Sequence, residues 1–390
     1  MSTIISNLPA ANGSTADSSG AWFAQLLAAA DIHLNGHRPW DIQINNPLTL
    51  GRIMRDGGIG LGESYMDGWW DCQAIDQMMT RAVRARLHEH LGTPRAHVHS
   101  WLSQWTKRLP TASARIVGRA QYDLNNALFS AMLDSSMSNS SAYWEEGATT
   151  LEQAQEAKME MVCRKLQLKP GMRLLDLSCG WGSFMRYAAK HHGVTALGIT
   201  GSKAQLELGQ SLNQGLPVQF ELGDARLFNA EGRSRFDAVV SLGMLKTPLC
   251  VSDSAFFTTA RRSMKKDGLF LLETMGNNQS GQLLEPWMEK HILGHAQLPS
   301  LGQITDHAQQ HFVVEDVHNL GADHDRTLLN WHQRFELAWP ELRLIYDERF
   351  YRMWRYHLLA GAGSFRARST QIWQMVLSPK GLPGVYRRAY

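Results

Sequence analysis

The sequence predicts an α/β fold in which short parallel strands form one sheet covered by helices, preceded by a small, mainly helical domain. Short apolar segments alternate with stretches of helical periodicity, as expected when a parallel sheet is covered on both faces. A chain of 390 residues is also long enough for two domains and a large core. The first predicted strand begins at Leu174. The others span 194–200, 218–222, 236–242, 268–274 and 371–377.

The first predicted strand runs into a glycine-containing turn and then into a helix, over residues 174–184. Glycines let the backbone approach a ligand closely, and the N–H groups that open the next helix face the polar end of that ligand. Ser178 stands where such loops usually carry their first glycine, whereas Gly180 and Gly182 are present. The pattern is typical of the S-adenosylmethionine site of a class I (Rossmann-like) methyltransferase, whose sheet has seven strands. We expect Cys179 to be a packed turn residue.

Polar residues follow the next two predicted strands. A doubly wound fold places its ribose-binding groups at this edge of the sheet. Thr200, Ser202 and Gln205 follow the second strand, and Asp224 follows the third. The predicted residues for binding S-adenosyl-L-methionine are Ser140, Ser178, Gly180, Gly182, Thr200, Ser202, Gln205 and Asp224.

The composition restricts the classes of partner. Lysine and arginine exceed aspartate and glutamate by only three, which is too small an excess to indicate nucleic acid binding. The four cysteines have neither metal-ligand nor disulfide spacing, so we predict no metal site and a cytoplasmic location. No apolar run approaches the roughly 20 residues that cross a bilayer. We therefore expect a soluble protein or one peripheral at the inner face of the membrane.

Composition also suggests domain boundaries. The first segment is polar and rich in serine and alanine, which predicts a disordered tail. The small domain after it contains Trp69 and Trp70, which we interpret either as core or interdomain packing or as a membrane or dimer contact. A basic, proline-containing linker precedes the larger domain. The predicted parts are a tail at 1–20, a small domain at 21–91, a linker at 92–120 and a methyltransferase domain at 121–390, with an insertion at about 276–346.

Several short motifs identify a family. They lie at 122–124, 128–129, 140–144, 151–158, 168–172, 241–244, 298–300, 318–323 and 363–368. With the strand and turn above, they make the chain resemble the cyclopropane-fatty-acyl-phospholipid synthases in their bacterial two-domain form. The resemblance extends from about Trp22 to Leu377.

The resemblance implies methyl transfer from S-adenosylmethionine to the cis double bond of an unsaturated phospholipid acyl chain, followed by proton loss that closes a cyclopropane ring. It also implies a homodimer that works at a membrane surface. In this family the base is thought to be a bound bicarbonate, held by a cysteine, a glutamate, a histidine and a tyrosine.

The sequence departs from the family at each of these positions. Ser141 stands where the cysteine is expected, and Lys246 replaces the glutamate. Glu273 replaces the histidine, and His324 replaces the tyrosine. A further cysteine that has been proposed as catalytic in the family corresponds to Gly361. The bicarbonate site is therefore either rebuilt or lost.

Three hypotheses follow for the altered site, whose residues are Ser141, Lys246, Glu273 and His324. In the first, Glu273 is a built-in base that Lys246 keeps ionised; alternatively these two form a compensated charge pair without a catalytic role. His324 is another candidate base, or else a hydrogen-bonded surface histidine. In the second hypothesis the product is methyl-branched or carries a methylene group, on this or another alkene. In the third the protein is a non-catalytic paralogue that binds membrane or a partner subunit.

The predicted insertion is apolar over its first part. We interpret this part either as a lid over an acyl chain or as ordinary helix packing. Its apolar residues are Leu283, Leu284, Trp287, Met288, Ile292 and Leu293.

Overall fold

The structure is a computed structural model. It describes residues 16–90, 126–144, 147–230, 235–243, 254–280, 284–294 and 298–388. The predicted linker, the first part of the predicted tail and the candidate Lys246 fall outside the described residues.

Helices and strands alternate through the second half of the chain. The helices are α1 Ala16–Ala29, α2 Thr49–Met66, α3 Ile75–Arg84, α4 Leu87–His90, α5 Asn126–Met132, α6 Leu151–Lys165, α7 Ser183–His192, α8 Lys203–Leu212, α9 Ser254–Ser263, α10 Pro286–Met288, α11 Leu301–Ala308, α12 Gly321–Leu342 and α13 Glu348–Arg366, with a 3₁₀ turn at Ala225–Leu227 and a π-helical turn at Glu289–Leu293. The strands are β1 Gln43–Ile44, β2 Trp70–Asp71, β3 Arg173–Asp176, β4 Thr195–Thr200, β5 Val218–Leu222, β6 Phe236–Ser241, β7 Met264–Asn277, β8 Val313–Asn319 and β9 Thr370–Ser378.

The chain forms two compact units. The first contains the described residues 16–90, 285–294 and 336–369, and the second contains the other described residues.

The second unit is built on a seven-stranded sheet with the strand order β5-β4-β3-β6-β7-β9-β8. Strands β3 to β7 are parallel, and β9 lies antiparallel between β7 and β8. The predicted seven-stranded class I methyltransferase sheet is therefore confirmed. Its parallel strands all end at one edge, where the predicted site residues Ser178, Thr200 and Asp224 follow them.

Alternation along each strand supplies an apolar core on both faces of this sheet. Leu174 packs in a cluster with α6 and α7, whereas its neighbour Leu175 packs in a second cluster with α9 and α11. In the same way Leu271 and Phe270 lie in opposite clusters. The near-continuous apolar character of the predicted strands follows from this burial on both faces.

Strand β8 lies within the stretch that the sequence assigns to an insertion. Its residues are half-buried or exposed and include Glu315, Asp316 and His318, because β8 is the edge strand of the sheet. A polar edge strand does not produce the apolar run that identifies the other strands. The region 276–346 is therefore partly an element of the sheet itself.

Trp70 anchors the core of the first unit. It is fully buried, and its ring centroid lies 4.9 Å from that of Tyr65 and 6.4 Å from that of Tyr356. Its indole N–H donates to the carbonyl of Leu61 at 3.0 Å. Of the two interpretations of this tryptophan, the structure supports packed core.

Trp287 is also fully buried, within the first unit. Its indole lies so close to Gly62 that a Cβ there would come within 2.3 Å of the ring, and its N–H donates to the Met66 sulfur at 3.3 Å. Ile292 and Leu293 are buried as well. For this part of the predicted lid the structure supports ordinary packing; Leu283 lies outside the described residues.

The two units differ from the predicted domain boundaries. The sequence assigns residues 285–294 and 336–369 to the methyltransferase domain, whereas the structure groups them with the small one. The reason lies in α13, which packs along α2 and α3: the Arg355 guanidinium donates to the Tyr65 hydroxyl at 2.6 Å, and the Thr80 hydroxyl donates to the carbonyl of Gly363 at 3.3 Å. These contacts join positions almost 300 residues apart, which local composition cannot indicate.

Candidate active site

The turn after β3 is closed by Ser178. Its backbone N–H donates to the Asp176 carboxylate at 2.9 Å. Its hydroxyl lies 3.0 Å from the Ser241 hydroxyl and donates to the carbonyl of Leu242 at 3.2 Å. Ser178 therefore ties the turn to the end of β6. Burial raises the pKa of Asp176 to about 7 despite that N–H donor and the nearby charge of Lys158.

The two glycines of this turn have different environments. Both have positive φ, +54° at Gly180 and +78° at Gly182, which favours glycine. A Cβ on Gly182 would lie 2.5 Å from the ring of Phe220, so packing also requires glycine there. A Cβ on Gly180 would have no atom within 4 Å, so its backbone borders open space. Cys179 is buried beside Gly198, as predicted for a packed residue.

The polar residues after β4 bond to one another. The Thr200 hydroxyl donates to the Gln205 side-chain oxygen at 2.9 Å, and the Ser202 N–H donates to Thr200 Oγ1 at 3.3 Å. Ser202 in turn caps α8 by accepting the N–H of Gln205 at 3.3 Å. The three predicted residues therefore fix one loop at the cofactor edge of the sheet. Their role in binding a ribose stays a prediction.

Asp224 follows β5, and its carboxylate pairs with Arg226. The Arg226 backbone N–H donates to it at 2.9 Å and the guanidinium at 2.5 to 3.1 Å. Sequence reasoning named Asp224 and missed this arginine, although the Asp-x-Arg spacing in a tight turn is a readable signal. The role of Asp224 in cofactor binding also stays a prediction.

The loop at residues 138–144 contacts both the end of β6 and the start of α12. Ser140 packs against Gly243 beyond β6, where a Cβ on the glycine would lie 3.2 Å from the serine Cβ. The Ala142 N–H donates to the Thr327 hydroxyl at 3.1 Å, and the Trp144 N–H donates to the Asp323 carboxylate at 2.8 Å. The loop is therefore held between the end of β6 and the first turns of α12.

Lys158 is fully buried beneath this loop. Its ammonium donates to the hydroxyls of Ser138 at 2.9 Å and Ser140 at 2.7 Å. Burial lowers its pKa, while the nearby charges of Glu273, Asp134 and Asp176 raise it. Sequence reasoning missed this lysine. The available signal is its place on α6: Lys158 follows Leu151, Ala154 and Gln155 at helical spacing and directly precedes the apolar residues Met159, Met161 and Val162, all of which are buried.

Glu273 lies in the middle of the sheet on β7 and is 1% exposed. Its carboxylate accepts a hydrogen bond from the side-chain amide of Gln374 at 3.0 Å and another from the backbone N–H of Ser141. Burial raises the pKa of Glu273, whereas Lys158, these two donors and Lys165 lower it. The result is a buried carboxylate held by two donors and faced by two lysines.

The structure thus brings together Ser140, Ser141 and Glu273 among the predicted residues. The sequence names Lys246 as the partner of Glu273; among the described residues the cations that act on it are Lys158 and Lys165. His324 is 3% exposed, so the interpretation as a surface histidine is wrong. Its ring packs edge-on against Trp331, with centroids 5.7 Å apart, because the first turns of α12 pack into the unit.

The described residues contain neither a candidate membrane-spanning helix nor a candidate metal-binding cluster. No helix there is both long and apolar enough to cross a membrane. Nor do three or more histidine, cysteine, aspartate or glutamate side chains come together there in a way that could hold a metal ion.

Comparisons with known proteins agree with this geometry. The family model described as mycolic acid cyclopropane synthetase matches residues 107–375. The cyclopropane-fatty-acyl-phospholipid synthase of Escherichia coli strain K12 is 44% identical over 358 residues, which cover 91% of this chain and 92% of the relative.

Two solved structures have the same fold. The cyclopropane synthase MmaA2 from Mycobacterium tuberculosis superposes with a TM-score of 0.62 at 28% identity, covering 67% of this chain and 97% of that one. The mycolic acid cyclopropane synthase CmaA1, complexed with SAH and CTAB, gives a TM-score of 0.62 at 27% identity, covering 69% and 99%. The sheet order, the match to the family model and the near full-length similarity lead to one conclusion: this chain is a member of the cyclopropane synthase family.

Proposed function

We propose that this protein transfers a methyl group from S-adenosyl-L-methionine to the cis double bond of an unsaturated phospholipid acyl chain and closes a cyclopropane ring. One observation carries the proposal. In a chain 44% identical to a protein named cyclopropane-fatty-acyl-phospholipid synthase, a buried carboxylate, Glu273, lies beside the loop of Ser140 and Ser141. That carboxylate is the base the reaction needs.

The residues at the carboxyl edge of the sheet fit the methyl donor. Gly180 offers backbone bordered by open space, which a ligand can approach closely. Thr200, Ser202 and Gln205 stiffen the neighbouring loop, and Asp224 and Ser140 are the further proposed contacts. When bound, S-adenosyl-L-methionine supplies an electrophilic methyl group.

Glu273 acts as the general base in this proposal. Attack of the alkene π electrons on the methyl would form one C–C bond, break the bond between the methyl and the sulfonium sulfur with release of S-adenosylhomocysteine, and leave a cation on the other alkene carbon. One C–H bond of the added methyl then breaks, its proton passes to the Glu273 carboxylate, and its electron pair forms the second C–C bond of the ring. Burial raises the basicity of the carboxylate, and Lys158 and Lys165 favour its ionised form. The Ser141 N–H and the Gln374 amide fix its orientation.

Bicarbonate, the base expected for the family, does not fit these residues. Two donors that could hold an anion here, the Ser141 N–H and the Gln374 amide, already bind the Glu273 carboxylate. A second anion beside a buried carboxylate would be repelled. At the position of the family's cysteine, Ser141 contributes its backbone N–H to this site. His324 remains the second candidate base, and Lys246 remains a proposed neighbour of the site.

We also propose that the protein meets its substrate as a peripheral homodimer at the membrane surface on the cytoplasmic side. The support is chemical: phospholipid acyl chains lie within a bilayer, so an enzyme that modifies them must reach that surface.

The test is product analysis. The purified protein is mixed with S-adenosyl-L-methionine and vesicles of cis-unsaturated phospholipid, with and without bicarbonate, and acyl products are identified by mass spectrometry and by ring-proton NMR. Vesicles of saturated phospholipid are the control. We expect a cyclopropane signal that does not depend on bicarbonate. A signal that requires bicarbonate would overturn Glu273 as the base, and a methyl-branched or methylene product would overturn ring closure. No product at all would overturn the activity.

A further inference from the structure

A buried polar chain continues from Glu273 away from the loop of Ser140. On β9, the Gln374 side-chain nitrogen donates to Glu273 Oε2 at 3.0 Å. The oxygen of the same amide accepts a hydrogen bond from the Lys165 ammonium at 2.6 Å. Gln374 and Lys165 are both completely buried. Lys165 is the last residue of α6, and its ammonium also lies 3.1 Å from Nδ1 of His318.

The charges at the two ends fix the orientation of the Gln374 amide. Its NH₂ group faces a carboxylate and its oxygen faces an ammonium, so each half of the amide dipole meets the opposite charge. The reversed amide would place oxygen against oxygen and donor against donor. Gln374 therefore links the Lys165 ammonium to the Glu273 carboxylate, and both ends of its amide are hydrogen-bonded.

His318 and Asp316 hold Lys165 on the other side. Burial, reinforced by the charges of Lys165 and Arg388, lowers the pKa of His318 to about 4, so its ring is neutral and can accept from the ammonium. Asp316 lies 3.6 Å from the ammonium. Burial lowers the pKa of Lys165 to about 8, with Asp316 and Glu273 opposing this shift. The lysine thus stays mostly charged at neutral pH.

We propose that Gln374 and Lys165 are positioning residues for Glu273: they orient its carboxylate and keep it ionised, so that it can accept the proton that ring closure releases. The inference rests on the proposed function, in which Glu273 is the base. It adds a second source of positive charge to that of Lys158: Lys165, from the end of the same helix α6, reaches the carboxylate through the Gln374 amide. Within the described ranges, the charged groups that act on Glu273 or on its two lysines are Lys158, Lys165, Asp134, Asp176, Asp316 and Arg388.

Coulomb's law sets the size of the effect. Two hydrogen bonds and one amide group separate the ammonium from the carboxylate, which is no more than about 8 Å. At an effective dielectric constant near 20, removing the charge of Lys165 should raise the titration midpoint of Glu273 by about one to two pH units. Replacing Gln374 by leucine removes a donor to the carboxylate and should move the midpoint in the same direction.

The experiment measures that midpoint directly. Full-length protein is labelled with glutamate that carries ¹³C at the side-chain carboxyl carbon, Cδ. The Glu273 resonance is assigned by its absence from the spectrum of Glu273→Gln. Its titration is followed in the wild type, in Lys165→Gln and in Gln374→Leu. The matched control is Tyr386→Phe, which removes a hydroxyl that donates to the Lys165 backbone carbonyl at 3.0 Å and leaves the ammonium contacts in place. The pH profile of ring formation is recorded for the same four proteins.

We expect the midpoint and the acidic limb of the rate profile to rise together in Lys165→Gln and Gln374→Leu, and to stay in place in Tyr386→Phe. An unchanged Glu273 midpoint in Lys165→Gln would overturn the inference whatever the activity. If the midpoint rises but the rate profile does not follow it, the proposed role of Glu273 as base fails, while the electrostatic coupling stands. If Gln374→Leu does not fold, Lys165→Gln alone decides, because its polar side chain keeps the volume of the site.

Discussion

Replacing Glu273 by glutamine tests the central chemical claim with little change of shape. A glutamine oxygen can still accept the hydrogen bond that the Gln374 amide donates to the carboxylate at 3.0 Å. The substitution therefore keeps the size and planar shape of the side chain and removes the negative charge. It abolishes the ability to take up a proton at this position.

The expected loss of rate follows from the role of the group. A positioned general base contributes about 10²- to 10⁴-fold to a rate, which corresponds to about 3–5 kcal/mol of activation free energy. Because Glu273 is almost fully buried and its carboxylate is fixed by two donors, solvent water cannot easily replace it. We therefore expect kcat for ring closure to fall by at least about 100-fold in Glu273→Gln.

The same substitution also changes folding stability. Lys158 is fully buried and would lose the opposing charge that acts on it most strongly, but Asp134 and Asp176 remain close enough to act on it. Removing one partner of a buried pair costs about 3–5 kcal/mol when nothing else compensates the remaining charge. With two carboxyl groups still present, we expect a smaller loss of unfolding free energy, so that the variant stays folded at 25 °C.

The assay is single-turnover ring formation on cis-unsaturated phospholipid vesicles, with the folded fraction measured by circular dichroism on the same samples. The control is Glu160→Gln, which removes a carboxylate on the same helix as Lys158, where Glu160 pairs with His192 and Arg164. That control should keep its rate. Normal turnover in Glu273→Gln would refute the reasoning and leave Glu273 as a compensating charge only.

Four further substitutions test individual contacts. Gly182→Ala should lower the unfolding free energy in urea by about 2–5 kcal/mol, since it combines a left-handed φ with a clash against Phe220. Gly180→Ala should cost only about 1–2 kcal/mol, yet weaken S-adenosylhomocysteine binding in calorimetry, because its methyl group enters the open space beside the turn. Thr150→Ala removes the capping box of α6 and should cost about 1 kcal/mol in the same urea assay. The pKa of His318 is lowered from 6.5 to about 4 in the folded protein, so the unfolded state binds a proton more readily. The stability that the neutral ring contributes is therefore present above pH 6.5 and is lost as the pH falls towards 4. His318→Gln should make the unfolding free energy measured in urea less dependent on pH over that interval.

The sequence by itself determined the fold class and most of its strands. Strands buried on both faces must be apolar at consecutive positions, so β4, β6 and β7 can be predicted from their own residues. The turn with Gly180 and Gly182 can be predicted in the same way. The replacement of expected family residues at Ser141 and Glu273 is equally a property of the sequence. What is local in the chain was therefore predictable.

Tertiary structure decided the rest, because the remaining features depend on contacts between distant positions. The edge strand β8 carries no continuous apolar signal and is defined by its pairing with β9. The cations that face Glu273 come from α6, more than 100 residues earlier, and the amide that orients it comes from β9, 101 residues later. A carboxylate's charge state is set by burial and by neighbours in space. Which neighbours Glu273 has is therefore fixed only when α6, β7 and β9 pack together.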